Sequence, residues 1–115
     1  MSKYQVIFHL DEDDPFRVNL VLNNIRNLLE DLGEDHLELE LVAYASGLKL
    51  FLKNSGYDKI MKNLTNKGVI FAACSNTVNA MNLSPDKMID NVKIVSSGVG
   101  ELVKKQAEGW IYIRP

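Results

Sequence analysis

Cys74 is the one cysteine in this chain of 115 residues, and it stands where the apolar residues Val69, Ile70, Phe71, Ala72 and Ala73 give way to Ser75, Asn76 and Thr77. The apolar run, opened by Gly68, has the length and composition of a short strand buried on both faces. The three residues after Cys74 carry the side-chain oxygens that favour helix starts. Cys74 therefore falls at a strand end and a helix start together. Unpaired N–H groups and the positive end of a helix dipole favour thiolate over thiol there. A thiolate attacks sulfur–sulfur bonds without a metal or cofactor. The same position also suits a small buried hydrophobe, because free cysteines are among the most buried residues. The residue pattern leaves both readings open.

Other groups that can do chemistry are few. His9, at the end of a first apolar segment, and Asp11 just beyond it could complete a Cys-His-acid arrangement with Cys74 if the three came within hydrogen-bond reach. A lone histidine at a strand end is more commonly packed or hydrogen-bonded. One cysteine with two distant histidines, His9 and His36, falls short of a zinc site, and His36 lies in a polar turn. Ser96, Ser97, Gly98, Val99 and Gly100 form a loop whose glycines let backbone approach a ligand and whose amides could hold an anion. Its Gly-x-Gly lacks the full dinucleotide fingerprint and the phosphate-loop lysine, and a tight turn capped by serine explains it as well. The acidic run Asp11, Glu12, Asp13, Asp14 precedes Pro15. It reads as a helix start, with Asp14 as cap and Pro15 in the first turn, rather than as a metal site, which needs carboxylates fixed in a set geometry.

The elements that must position these groups follow from periodicity. Residues 3–10 mix β-branched and aromatic side chains as a first strand does. Val18, Val21, Leu22, Ile25, Leu28, Leu29 and Leu32 recur at steps of three and four and make one stripe of a helix that Gly33 ends. Residues 37–44 alternate and then turn wholly apolar, a strand entering a sheet. Residues 48–53 and 57–66 are two short helices, 69–73 the strand before Cys74, and 77–83 a helix. Ser84, Pro85 and Asp86 open a further turn. Residues 92–95 make a fourth strand, 101–107 a last helix, and 110–113 a final strand. Strand and helix alternate, which predicts a mainly parallel sheet with helices on both faces and right-handed crossovers. Ligands of such sheets bind beyond the carboxyl ends of the strands. That edge collects His9 and Asp11, residues 44–47, Cys74 with Ser75 and Asn76, and residues 96–98.

The bulk numbers fit one domain, residues 1–115, with 46% hydrophobic and 24% charged residues. A net charge of −2, with no Lys/Arg run longer than Lys104-Lys105, argues against nucleic acid as a partner. One cysteine cannot form an internal disulfide, so any disulfide or persulfide involves a second molecule. The N-terminal residues run straight into a strand and no apolar run is long enough to span a bilayer, so the cytoplasm is the expected compartment and no membrane partner is expected. Trp110, Tyr112 and Ile113 put large apolar groups on a short last strand, which either a second copy of the chain or the protein's own helices would cover.

Several stretches together resemble the DsrE/DsrF-like (YchN-like) family of small sulfur-handling proteins, in its archaeal single-chain branch. They are Val6, Ile7, Phe8 and His9; Val42, Ala43 and Tyr44 before Ser46 and Gly47; Phe71 to Thr77 around Cys74; Val95 to Val103; and Gly109 to Pro115. The resemblance covers nearly the whole chain. It implies an α/β fold, a three-layer α/β/α sandwich with a five-stranded mainly parallel sheet, assembled as a homo-oligomer, trimer or hexamer. It also implies that Cys74 accepts sulfur as a persulfide from one protein and passes it to another, with no cofactor. A different class of function stays alongside, a non-catalytic oligomer of the same fold whose edge holds a small ligand or serves as a scaffold. The two separate on the reactivity of Cys74.

Overall fold

The computed structural model describes residues 3–115. Five strands form one parallel sheet in the order β4-β3-β2-β1-β5, with β1 at Tyr4–Leu10, β2 at Leu37–Ala43, β3 at Ile70–Cys74, β4 at Val92–Val95 and β5 at Ile111–Ile113. The helices are α1 (Pro15–Leu32), α2 (Asp58–Asn66), α3 (Ser75–Ala80) and α4 (Gly98–Ala107), with 3-10 turns at Glu34–His36, Ala45–Phe51 and Pro85–Lys87. No helix among the described residues is long and apolar enough to cross a membrane.

The expected elements form for the expected reasons. Asp14 caps α1 by accepting the Phe16 N–H, Pro15 takes the first turn, and Val18, Val21, Leu22, Ile25 and Leu29 bury its apolar stripe. Gly33 ends the helix at a φ of 88°, a left-handed value that glycine adopts without strain. The helix expected at residues 48–53 is instead the end of the 3-10 turn Ala45–Phe51, after which Leu52 bridges to Met88. α3 stops at Ala80 rather than Leu83, with Asn82 in left-handed backbone at φ 54°. α4 begins at Gly98, three residues earlier than periodicity placed it. The cause is Ser97, whose hydroxyl accepts the Gly100 N–H at 3.0 Å while its carbonyl accepts the Glu101 N–H at 2.8 Å.

Handedness decides how the layers fill. From β1 to β4 the chain steps along the sheet in one direction, so right-handed crossovers put α1, α2 and α3 on one face. The return from β4 to β5 runs the other way and puts α4 on the opposite face. The first face carries the main core, in which Phe8, Leu10, Leu41, Phe71, Phe51, Ile25 and Leu64 are almost wholly buried. The second carries a small cluster, Ile7, Val42, Ala72, Val95, Leu102 and Trp110, beneath one helix.

Among the described residues the buried polar or charged side chains, His9, Glu40 and Glu101, belong to this thinly covered face. Glu40 in β2 is fully buried, and among the described residues no conventional donor hydrogen-bonds to either of its carboxyl oxygens. Lys105 Nζ comes to 3.9 Å of Oε1 and also stands over the Trp110 ring, 4.7 Å from its centroid. The hydrogen bond open to Glu40 is a proton shared with Glu101 of α4. Burial, then that bond and the Glu101 charge, push the Glu40 carboxyl up to about 8, against the pull of Lys105 and Lys93. Glu101 moves down because it accepts from Glu40, although burial opposes this.

A carboxyl that binds its proton more tightly when folded makes stability fall as pH rises, from its ordinary 4.5 in the unfolded chain to about 8 in the folded one. Glu40→Gln removes that penalty. Thermal melts across this window should show the variant gaining on the parent as pH rises, and parallel melting curves at every pH would refute the shared proton.

Candidate functional site

The carboxyl edge of the sheet is where loops of opposite direction part. The chain leaves β3 toward α3, whose Val78 packs into the main core, and leaves β4 toward α4 on the other face. This divergence between neighbouring strands is the crevice in which open α/β sheets place their ligands. Cys74, the last residue of β3, sits in it, 6% exposed.

Two helix starts converge on the sulfur. Cys74 is the residue before α3, so the Asn76 and Thr77 amides of that helix reach it, and Gly98, the first residue of α4, adds its own amide from the other side. Burial raises the thiol's affinity for its proton. The amides of Gly98, Thr77 and Asn76 and the Thr77 hydroxyl outweigh it, and the thiol lies below its ordinary value. Thr77 has a double role: its Oγ1 accepts the Ala45 N–H at 3.1 Å, which leaves the hydroxyl proton for the sulfur. The same bond ties the turn after β2, with Ala45 at a φ of 51°, to the start of α3.

Two glycines make the approach possible. A Cβ on Gly98 would overlap the Tyr44 ring, with Tyr44 Cγ at 3.2 Å, and would press on Cys74 Cβ at 3.3 Å. A Cβ on Gly47 would collide with the Leu10 carbonyl, its carbon 2.8 Å away, where the turn after β2 folds across the end of β1. The Tyr44 ring thereby lies between Gly98 and His9, tilted by 43° to the imidazole.

His9 and Asp11 do not join Cys74. β1 and β3 lie on either side of β2, roughly 10 Å apart. His9 is level with Ala72 through Val42, and the Tyr44 ring, 4.8 Å from the imidazole, stands between. His9 Nδ1 instead meets the Tyr112 hydroxyl at 2.8 Å and Nε2 faces Asp11 Oδ2 at 3.8 Å. Burial holds the imidazole below its ordinary value, with Asp11 drawing it up and Arg114 down. Arg114 Nη2 lies 3.0 and 2.9 Å from the two Asp11 oxygens, which ties the end of the chain over β1. The Cys-His-acid arrangement is therefore not formed. Its members are divided by a strand.

In the loop at Ser96, Ser97, Gly98 and Gly100, two of the amides are turned inward. Gly98 N–H points to Cys74 and Gly100 N–H to Ser97 Oγ, while Ser96 is exposed. The charge served by this loop is that of the Cys74 sulfur. Ser75 opens α3 half-buried, and Asn76 contributes its backbone rather than its side chain. Tyr44 lies on the edge that the sequence assigns to ligands, whereas sequence reasoning gives Thr77, Tyr112 and Arg114 no chemical role. The Thr77 oxygen one helical turn past the cysteine was the signal for the first of them.

A family model, the DsrE/DsrF-like family, matches residues 5–115. The solved structure of the protein of unknown function MTH1491 from Methanobacterium thermoautotrophicum is 46% identical over 98% of this chain and 100% of that one, with a TM-score of 0.94. The ychN protein of E. coli superposes with a TM-score of 0.79 at 16% identity, over 100% of both chains. BT1422 from Bacteroides thetaiotaomicron, of unknown function, superposes with a TM-score of 0.77 at 10% identity, over 96% of this chain and 94% of that one. The last two likenesses are of fold. No curated protein matches. This chain belongs to the DsrE/DsrF-like family, and its fold is that of the family's solved structures.

Thr77→Val removes the hydroxyl donor to the sulfur and should raise the thiol midpoint, followed by the ultraviolet absorbance of the thiolate against pH. Thr77→Ser should leave it in place. Equal midpoints in all three proteins would show that the hydroxyl does not serve the sulfur. Gly98→Ala should raise the midpoint further and cost about 1–3 kcal/mol of stability through overpacking.

Proposed function

We propose that this member of the DsrE/DsrF-like family carries sulfane sulfur on Cys74. The observation that supports it is the convergence of two helix starts on one thiol, which draws it toward the thiolate with no base, metal or cofactor. The Cys74 thiolate attacks the outer sulfur of a donor protein's cysteine persulfide. A new sulfur–sulfur bond forms on Cys74 and the donor's breaks, and its electron pair leaves on the donor as a thiolate. The proton of the outer sulfur stays with it and nothing is oxidised or reduced. Delivery to an acceptor thiol is the same exchange with Cys74 as the leaving thiolate, and a low thiol pKa makes it a good leaving group.

A donor would approach from the strand-end side, where a shallow apolar groove of about 430 Å³ is lined by Ala45, Asn76, Thr77 and Met81 beside Cys74. A homo-oligomer, trimer or hexamer, belongs to the same reading: Val99 and Val103 on the outer side of α4 are 57% and 61% exposed, and a second copy would cover them. The cytoplasm, where thiols stay reduced, suits this chemistry.

Incubating the native protein with a persulfide donor and weighing the intact chain tests the proposal. One added sulfur, removed by a thiol reductant and absent from Cys74→Ser, is the expected result. A chain that gains no sulfur while its thiol alkylates readily would instead favour a ligand-binding or scaffold role.

A further inference from the structure

We propose that Glu40 and Glu101 position Cys74: the proton they share beneath α4 holds the start of that helix, and with it the Gly98 amide, against the sulfur. The inference rests on Cys74 being the working thiol. It concerns two residues that take no part in sulfur exchange.

α4 is a rigid element with functions at successive turns. Gly98 starts it against the cysteine, where a Cβ would come within 3.3 Å of Cys74 Cβ, Glu101 one turn later is buried on the face that holds Glu40, and Lys105 one turn beyond reaches 3.9 Å from the Glu40 carboxyl. Apart from Leu102 and the small cluster around Trp110, these polar contacts are what fasten the helix to a face that no other helix covers. The charged groups that act most on Glu40 are Glu101 and Lys105 from α4 and Lys93 from β4, and Glu34 and Asp35 line the same cavity. Its neighbours across the sheet, Ile7 of β1 and Ile70 of β3, are apolar. Lys3, Lys67 and Glu38 rim the cavity of about 450 Å³ that Glu40 also lines.

With one proton between them the two carboxyls carry a single charge, which Lys105 and Lys93 offset. Once the proton leaves, two carboxylates face each other in a buried space with no donor to spare, and repulsion acts along the line that separates α4 from β2. Glu101 sits one turn from Gly98, so loosening there withdraws the Gly98 amide and opens the buried sulfur. The device therefore keeps the thiol cradled and enclosed at neutral pH and releases it in alkali.

The test is the alkylation rate of Cys74 in the intact protein across pH, with exchange of the Gly98 amide followed by NMR. Two steps are expected: a first as the thiol ionises, then a further rise of about tenfold, one pKa unit's worth of coupling, near pH 8 as the pair loses its proton. Gly98 exchange should accelerate, beyond its intrinsic pH dependence, with the second step. Glu40→Gln, whose amide donates to Glu101 at every pH, should keep the first step and lose the second. Glu101→Gln should move the second step to lower pH. A second step unchanged in Glu40→Gln overturns the proposal. Should that variant fail to fold, a single step in the parent protein, or Gly98 exchange without that acceleration near pH 8, overturns it alone. Sulfur uptake is read separately. A two-step profile in a protein that takes up no sulfur would retire the carrier reading and leave the positioning intact, whereas uptake with a one-step profile would do the reverse.

Discussion

Right-handed crossover is the constraint on which the rest of this molecule depends. Four strands laid down in one direction commit their connecting helices to one face. The single reversal, from β4 back to β5 beside β1, commits α4 to the other. Both consequences meet at Cys74. Its strand is the last whose exit turns toward the crowded face, and the neighbouring strand is the one whose exit turns away. Two helices thus begin within reach of one sulfur, and a thiol that burial alone would keep protonated is drawn toward the thiolate by three amides and a hydroxyl.

The same reversal leaves one face with one helix, and the polar chemistry of the interior gathers there. His9, Glu40 and Glu101 would be out of place in the main core, where Phe8, Phe51 and Phe71 fill the space between sheet and helices. On this face each has a polar or aromatic neighbour. His9 has Tyr112 and the Tyr44 ring, Glu40 has Glu101, and Lys105 bridges Glu40 and Trp110. Small residues make the arrangement close. Gly98 lets α4 settle on Tyr44, and Gly47 lets the turn after β2 cross the end of β1, which places the tyrosine ring as a partition between imidazole and thiol. The partition is chemically useful to a sulfur carrier. A histidine beside Cys74 would supply a proton donor and acceptor suited to hydrolysis, whereas a ring of neutral N–H and O–H donors stabilises the thiolate without offering a base.

Much of this was legible along the chain. The stripe from Val18 to Leu29, the Asp14-Pro15 start and the apolar run before Cys74 each follow from local rules, and each forms where those rules put it. The start of α4 was misplaced because Gly98 and Gly100 read as loop. The capping bond from Ser97 that turns them into a first helical turn is a side-chain contact, which composition does not show. Glu40 was hidden for a related reason. In a strand that alternates Leu37, Glu38, Leu39, Glu40, Leu41, a glutamate reads as solvent-facing, and here the face it occupies is the one that α4 covers.

Sequence by itself determined the alternation of strand and helix, the parallel sheet, and a cysteine between a strand end and a helix start. These depend on near neighbours in the chain: periodicity, caps, turn residues and handedness. Tertiary structure alone decided what surrounds the sulfur. Gly98 reaches Cys74 from residues far along the chain, Tyr44 separates it from His9, and Glu40 meets Glu101 from a different layer. Such contacts arise where strands distant in sequence become neighbours, and strand order and the face each helix takes are properties of the closed fold rather than of any stretch within it.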